Sequence, residues 1–400
     1  MAEPSKVGTP LDQLSDREAV IVSAVRTPVG RASKGSLKDM RPDDLGALAV
    51  KAALERAGNL DPALVEDVIF GCAMPEGEQG LNIGRNISVL AGIPTTSAGV
   101  TVNRFCASGL QSANMAAQNI LLGMGDVFVS GGVECMSRVP MGGFNPSFNK
   151  KLVGGKAGFP EVYIPMGLTA ENVAKQFNVS RQEQDEFALR SHMLAVKAQQ
   201  EGMFKDEIVP VTLPDGSIAD KDDGPRADTS LEKLATLKAA FIDGGTVTAG
   251  NSSPLNDGAA AAVIMSLGKA RELGLKPLAR FVTLAVAGVD PEVMGIGPIP
   301  AVRKALQRAG LTIQDIDIVE LNEAFASQAL VVTRELGISL DKQLNPKGGA
   351  IAIGHPLGCS GARILATLMN DMRQYDATLA IETMCIGGGM GLATIFERLS

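Results

Sequence analysis

Two distant segments of this 400-residue chain share both pattern and letters, and an internal duplication narrows the possible folds more than any other feature of the sequence. Ala49 to Gly58 (AVKAALERAG) is mirrored by Ala301 to Gly310 (AVRKALQRAG). Each decad predicts a helix closing on a glycine that suits the left-handed C-terminal cap. Each is followed by an acidic turn and a β-rich run, Val68-Ile69-Phe70 in the first copy and Ile318-Val319-Glu320-Leu321 in the second. Farther on, Gly109 to Ser130 and Gly361 to Glu382 each read as a small-residue helix start, a long helix and an apolar strand. The expected fold class is α/β: two similar halves with stacked helices and mostly buried, mixed sheets.

A stretch from about Arg138 to Pro254 has no partner in the repeat. It opens with Gly- and Asn-rich loops (MGGFNPSFNKKLVGGKAGFP), holds one long amphipathic helix from Ser180 to about Glu201, and carries the charged run Asp220 to Arg226. So long a segment predicts an inserted loop domain covering the first half, or else a surface insertion with no role. The expected division is residues 1–137, completed by 255–277, for the first half; 138–254 for the insertion; and 278–400 for the second half.

Composition removes several function classes. With 45% hydrophobic residues and 45 glycines the chain buries a substantial core, yet its longest apolar stretches, such as Ala259 to Leu267, are too short to cross a bilayer. The opening MAEPSKVGTPLDQLSDRE resembles neither a secretory signal nor an Arg-rich transit peptide, and the closing ERLS is not a peroxisomal address, so a cytoplasmic location is expected. A net charge of −7 argues against general nucleic-acid binding, although a few converging basic residues would still serve a small polyanion. Five cysteines without a CxxC pair predict neither a disulfide framework nor a metal site. No G-x-x-x-x-G-K-[ST] occurs, and the glycines after Cys385 lack the G-x-G-x-x-G spacing, so phosphate-loop and dinucleotide chemistry drop out.

Individual thiols and one histidine remain. Cys106 lies in VNRFCASGLQS, where a β-rich approach meets a helix beginning near Ser108; the positive end of that helix would favour a thiolate, while the bland reading is a small buried hydrophobe. His355 closes the run NPKGGAIAIGHPLG, read as a strand ending in a Gly-His-Pro-x-Gly turn that presents the imidazole, or as a solvated turn residue. His192, the other histidine, falls inside the amphipathic helix and reads as structural. Cys385, in ETMCIGGGMG, sits at a strand end of the kind that floors α/β sites. Asn322, in NEAF, offers an amide at another strand end or a turn bonded to its own backbone. Cys72, Cys135 and Cys359 read as packing residues.

Taken together, NRFCASGLQS, GGVECMSRVP, MGLTAENVA with RQEQDEFALRSH, TVTAGNSSPLNDGAAA, NEAFA, GGAIAIGHPLGCSGAR and CIGGGMG closely resemble the thiolase family, in the family's order, from about Glu18 to Glu397. The resemblance implies a duplicated thiolase fold with an inserted loop domain, and an acyltransferase acting on CoA thioesters, with CoA as substrate and no cofactor. It implies that Cys106 accepts the acyl group, that His355 activates it, and that Cys385 exchanges a proton with the α-carbon of acetyl-CoA. Asn322 would frame one oxyanion hole with His355 through a water, and the backbone N–H groups of Cys106 and Gly387 the second. For CoA it implies Met166, Arg226, Ala249, Ser253 and Leu255, with Ala324 and Phe325 lining the acyl side. A homodimer or homotetramer is implied too.

The chain departs from the family's acetoacetyl-CoA-forming members at Pro165, where those carry His, and at Lys233, where they carry a CoA-contacting Ser; Lys233 would face a phosphate or solvent. Pro165, Ser253-Pro254 and Cys359 look more like degradative members. The expected activity is therefore cleavage of 3-ketoacyl-CoA, as in β-oxidation of fatty acids, with acetoacetyl-CoA synthesis as the alternative. A decarboxylating ketoacyl synthase on the related fold would need a second active-site histidine, and a silent acyl-CoA-binding module would need none of Cys106, His355, Cys385 and Asn322.

Overall fold

The duplicated letters become duplicated elements. In the computed structural model, which describes residues 5–155 and 158–399, the first half runs β1 (Ala19–Arg26), β2 (Gly30–Arg31), α1 (Pro42–Arg56), β3 (Asp67–Gly71), α2 (Ile83–Leu90), β4 (Ala98–Val102), α3 (Ser108–Leu121) and β5 (Val127–Cys135). The intervening segment supplies α4 (Met166–Gln176), α5 (Arg181–Gln200), β6 (Val211–Thr212), β7 (Ile218–Ala219) and α6 (Leu231–Ala235), after which β8 (Asn256–Ser266) and α7 (Leu267–Glu272) return to the first half. The second half runs β9 (Ala279–Gly288), α8 (Pro298–Ala309), β10 (Ile318–Leu321), α9 (Ala326–Leu336), α10 (Leu357–Gln374), β11 (Leu379–Ile386) and β12 (Met390–Arg398). The sequence expectations about the extreme termini and the middle of the Gly- and Asn-rich loop fall partly on residues 1–4, 156–157 and 400, outside the described residues.

The strand order β10-β11-β12-β9-β1-β8-β5-β3-β4 makes the pseudosymmetry explicit. Read outward from the β9/β1 seam, β1, β8, β5 and β3 in one direction match β9, β12, β11 and β10 in the other. The seam itself is only the pairs Val20–Arg280 and Ile21–Ala279. The counterpart of β4 is reduced in the second half to a single bridge between Val319 and Leu344.

Alternation along the strands sorts their side chains into three cores. Val20, Val22 and Val25 of β1 face outward to α1 and α2, the equivalent face of the second half is covered by α8 and α9, and Ala19, Ile21 and Ala24 face inward with residues of β11 and β12 onto α3 and α10. The result is five layers, helix, sheet, helix, sheet, helix. α10 is buried from Leu357 to Met372 on all sides, as a helix enclosed by two sheets must be. It meets α3 at the two glycines that occupy equivalent places in the repeat: a Cβ on Gly109 would come 2.5 Å from the Ala362 nitrogen, and one on Gly361 would come 2.3 Å from the Leu110 nitrogen. The repeat therefore puts small residues where its two copies touch.

The long helix of the inserted segment begins as expected, with Ser180 and Glu183 forming a capping box. Buried charges tie that segment to both halves. Glu207 accepts from Arg26 Nε at 2.7 Å and pairs with Lys347 Nζ at 3.1 Å, and Asp222 pairs with Arg26 at 2.7 Å.

One expectation fails. The run Asn345 to Pro356 is a buried, compacted series of turns rather than a strand. The Asn345 side chain accepts from Leu321 N and donates to Leu321 O, both at 2.9 Å, so it takes the place of a neighbouring strand. The Glu323 carboxylate then gathers Asn345 Nδ2, Ser191 Oγ and Ile351 N. These side-chain bonds satisfy the backbone better than a continued ladder would.

Candidate active site

Four segments meet at the ends of the central elements. Cys106 lies in a single 3-10 turn, Phe105–Ala107, immediately before α3. The turn is fixed from below: Asn103 accepts from Phe105 N at 2.8 Å and donates to Ala73 O at 3.0 Å, while Phe105 itself holds φ 45°, a left-handed conformation that a bulky residue adopts only under constraint. Cys106 packs on Ala73, Met136 and Leu357.

The helix end and burial pull this thiol in opposite directions. Burial pushes the Cys106 thiol up to about 11, outweighing the backbone N–H groups of Gly387 and of Cys106 itself, which pull it down. The thiol is protonated at neutral pH and needs a base.

His355 stands two residues before Leu357, which touches Cys106. Its backbone N–H donates to Asn256 Oδ1 at 2.9 Å, and the preceding Gly354 has φ 123° and no room for a side chain, because a Cβ would lie 2.6 Å from the Asn256 amide. The tautomer follows from the partners. Ser360 Oγ commits its one proton to Pro356 O at 2.9 Å and lies 2.5 Å from His355 Nδ1, so Nδ1 carries the hydrogen and donates it to Ser360. Nε2 is left with its lone pair, 3.4 Å from Asn322 Nδ2. Burial, reinforced by the Arg363 charge, lowers the imidazole pKa to about 3, which keeps it a neutral base. Asn322 is buried at the end of β10, and its Oδ1 has no hydrogen-bond partner among the described residues.

Cys385 is near the end of β11, fully buried in an apolar cluster with Ala170, Val247, Met294, Ala324 and Phe325, and with Met166 packed against it. Burial raises its pKa further, helped by neighbouring Cys106. Gly387, two residues on, is near enough for its N–H to pull the Cys106 thiol down, and the turn that carries Cys106 packs against β11. The two thiols thus share one pocket floor.

A separate cleft of about 230 Å³ opens in the inserted segment and is lined by Arg31, His192, Arg226, Lys233, Ala249 and Ser252 among others. Of the residues expected to hold CoA, Arg226, Lys233 and Ala249 line it. Ser253 and Leu255 do not; Ser253 N instead donates to Ala324 O at 2.9 Å, and Ser252 bridges to Phe325. Met166, Ala324 and Phe325 pack with Cys385 instead. Lys233 is exposed and paired with Asp228 at 2.8 Å.

Arg31 and His192 were not anticipated. His192 Nδ1 accepts from Arg226 N at 3.3 Å, and burial with the Arg226 and Arg31 charges lowers its pKa to about 4. Its helical position gave no local sign of this, because its partner is 34 residues away. Arg31, Arg226 and Lys233 provide the local convergence of cations that an acidic chain needs to hold a polyanion.

Family models for the thiolase N-terminal and C-terminal domains match residues 19–268 and 275–398. The chain is 53% identical over 393 residues to the 3-ketoacyl-CoA thiolase of Bacillus subtilis (strain 168), covering 95% of this chain and 99% of that one. It is 50% identical over 392 residues to the 3-ketoacyl-CoA thiolase of Shewanella loihica, covering 96% and 100%. The crystal structure of the Bacillus anthracis acetyl-CoA acetyltransferase superposes with a TM-score of 0.88 at 42% identity, over 96% of this chain and 99% of that one.

Proposed function

The chain belongs to the thiolase family, and on that premise we propose that it cleaves 3-ketoacyl-CoA with CoA, giving acetyl-CoA and an acyl-CoA two carbons shorter. The observation that carries the reading is the pair of buried thiols, Cys106 in the turn before α3 and Cys385 near the end of the β11 strand that this turn packs on, with a histidine held in the tautomer of a base. Cys106 gives its proton to His355 Nε2 and attacks the 3-keto carbon. The carbon–carbon bond breaks, its electron pair leaves as the enolate of acetyl-CoA, and Cys385 protonates the α-carbon. Incoming CoA gives its proton to Cys385 and attacks the thioester; Cys106 leaves and recovers its proton from His355. A thioester splits one difficult exchange into two easier ones. Asn322 with His355, and the N–H groups of Cys106 and Gly387, hold the developing oxyanions; loss of one such donor typically costs about 10²–10³ in rate.

The degradative reading is supported by the names of the relatives at about half identity, and by Pro165 and Cys359. Acetoacetyl-CoA synthesis is favoured by the acetyl-CoA acetyltransferase it superposes on. CoA-dependent cleavage of acetoacetyl-CoA beside 3-ketoacyl-CoA substrates of six to sixteen carbons decides: higher kcat/KM on the longer chains supports degradation, and activity confined to acetoacetyl-CoA overturns it.

CoA lies along the inserted segment with its phosphates at Arg31 and Arg226 and its pantetheine arm past Ala249 and Ser253 toward Met166. Arg226→Ala is expected to raise KM for CoA about tenfold with kcat unchanged, as loss of uniform binding does. Lys233→Ala, whose charge already has an exposed partner, should change KM no more than about twofold. The reverse order would move the phosphates to Lys233. Ser360→Ala leaves the imidazole without its Nδ1 acceptor, and kcat is expected to fall about tenfold to a hundredfold, a share of the roughly 10²–10⁴ a positioned base supplies. A rate within twofold of wild type would leave the tautomer to some other contact.

No helix among the described residues is long and apolar enough to cross a membrane, and five unpaired cysteines suit a reducing, cytoplasmic setting. Among the described residues β4 bonds only β3 and leaves its other edge open, which supports a two-fold dimer that adds a second copy's strand there. A monomer by light scattering would overturn that assembly.

A further inference from the structure

Glu134 has no part in the chemistry above, yet it is fully buried on β5 and both of its oxygens are saturated with donors. Oε2 accepts from Ala73 N and Gly358 N, each at 2.8 Å, and Oε1 accepts from Gln79 Nε2 at 2.6 Å and Met74 N at 3.2 Å. These donors belong to two separate pieces of the site. Ala73 is one wall of the Cys106 pocket, and its carbonyl takes the Asn103 bond that fixes the Cys106 turn. Gly358 is the second residue of α10, next to Leu357, another wall of the pocket, and three residues after His355. Met136, the third wall, follows Glu134 by two residues. Space is as tight as the bonding: a Cβ on Gly358 would lie 2.7 Å from Glu134 Oε2 and 2.6 Å from Ala73 N, and one on Gly132 would lie 2.3 Å from Gly358 O.

We propose that Glu134 is a positioning residue for the thioester chemistry, a carboxylate clamp that fixes the Cys106 pocket and the His355 turn in one geometry. The inference rests on the functional reading above. A carboxylate is required because every hydrogen-bond partner at less than 3.5 Å donates; an amide would turn its NH2 against N–H groups whichever way it lay. The cysteine Cys72 lies 3.8 Å from Oε1, so the clamp also places an anion among the thiols around it.

The test is Glu134→Gln beside Glu134→Asp. In Glu134→Gln, kcat for cleavage of acetoacetyl-CoA is expected to fall about a hundredfold, the penalty of a misplacement near 1 Å, while KM for CoA moves less than about threefold because the cleft at Arg226 is built from other elements. Alkylation of Cys106 by iodoacetamide, followed against pH by mass spectrometry, should meanwhile shift to lower pH, since a buried anion near a thiol disfavours its thiolate. Because letting water reach the buried thiol would also lower its pKa, the shift is read in a variant whose melting temperature and folded fraction match those of wild type; there, a thiol that ionises more readily in an enzyme that turns over more slowly is the signature of lost position. Glu134→Asp keeps the charge but cannot span all four donors, so it should lower kcat with little change in the alkylation profile, and it carries the test alone if the amide variant does not fold. Both variants turning over within about threefold of wild type, or an apparent kcat that falls only in step with the folded fraction, would overturn the clamp. Wild-type protein inactive on every CoA thioester would sink the functional reading instead, and an unshifted alkylation profile in folded Glu134→Gln would still refute the clamp by itself.

Discussion

Cys106→Ala is expected to fold and to bind CoA thioesters, and to cleave acetoacetyl-CoA at least about 10⁴-fold more slowly than wild type, the scale on which enzymes lose a covalent nucleophile. The fold should survive because the change removes one sulfur atom from a pocket whose other walls, Ala73, Met136 and Leu357, are anchored independently. The cost in stability is on the order of 1 kcal/mol for so small a deletion. The cleft at Arg226 lies in the inserted segment and is untouched, so binding of acetyl-CoA measured by calorimetry should persist. The second readout is covalent: wild-type protein mixed with acetyl-CoA should gain one acetyl group on the peptide containing Cys106, and the variant none. Cleavage retained in Cys106→Ala would mean that another group accepts the acyl chain. The other buried cysteines offer poor substitutes, since burial holds the Cys135 thiol well above its ordinary value and pushes Cys359 up to about 12.

The state of Cys106 at rest bears on how the nucleophile is made. A helix N-terminus favours a thiolate in principle, and that physics is visible here as the pull of the Gly387 and Cys106 N–H groups. It loses to desolvation, which leaves the thiol at about 11 and the imidazole at about 3. Both partners are neutral when the site is empty of charge, so no ion pair has to be held in a dry pocket. On the mechanism proposed above, the thiol ionises as its sulfur meets an electrophile and as the oxyanion donors acquire something to stabilise.

The duplication was legible because it is written in local pattern. Helix decads ending at Gly58 and Gly310, both left-handed in the structure, and apolar strands after them specify elements whose order reappears on either side of the seam. Cys106, His355, Asn322 and Cys385 were legible as residues, each at an element end. What the letters could not carry was how distant side chains replace regular structure. The strand expected in the run from Asn345 to the Gly-His-Pro-x-Gly turn is displaced by Asn345 and Glu323 acting as surrogate backbone partners, and no periodicity betrays such a substitution. Glu134 was visible only as a letter within GGVECMSRVP; its meaning depends on Ala73 and on Gly358, which is 224 residues away. Of the two adjoining serines, Ser252 lines the cleft, and its bridge to Phe325 is a tertiary pairing that the local letters do not announce.

Cys385→Ala separates the two halves of the reaction, and its expected outcome is a split rather than a uniform loss. Cleavage of acetoacetyl-CoA should fall about 10³-fold, within the roughly 10²–10⁴ that a positioned acid or base contributes. Exchange of the acetyl group between acetyl-CoA and isotopically labelled CoA should remain within about tenfold of wild type, because it needs only attack by Cys106, proton transfer through His355 and the oxyanion donors, with no carbon–hydrogen bond made or broken. The pKa direction sharpens this. Burial and the nearby Cys106 hold Cys385 well above the ordinary thiol range, so it is protonated at rest and ready to donate to the enolate that cleavage releases. Condensation asks the opposite of it, since the same thiol must first lose its proton to take one from acetyl-CoA. The same thiol thus serves both directions, donating to the enolate in cleavage and accepting from acetyl-CoA in condensation. If exchange and cleavage fell together in Cys385→Ala, the two thiols would have to act in a single step, and the division of labour between them would be wrong.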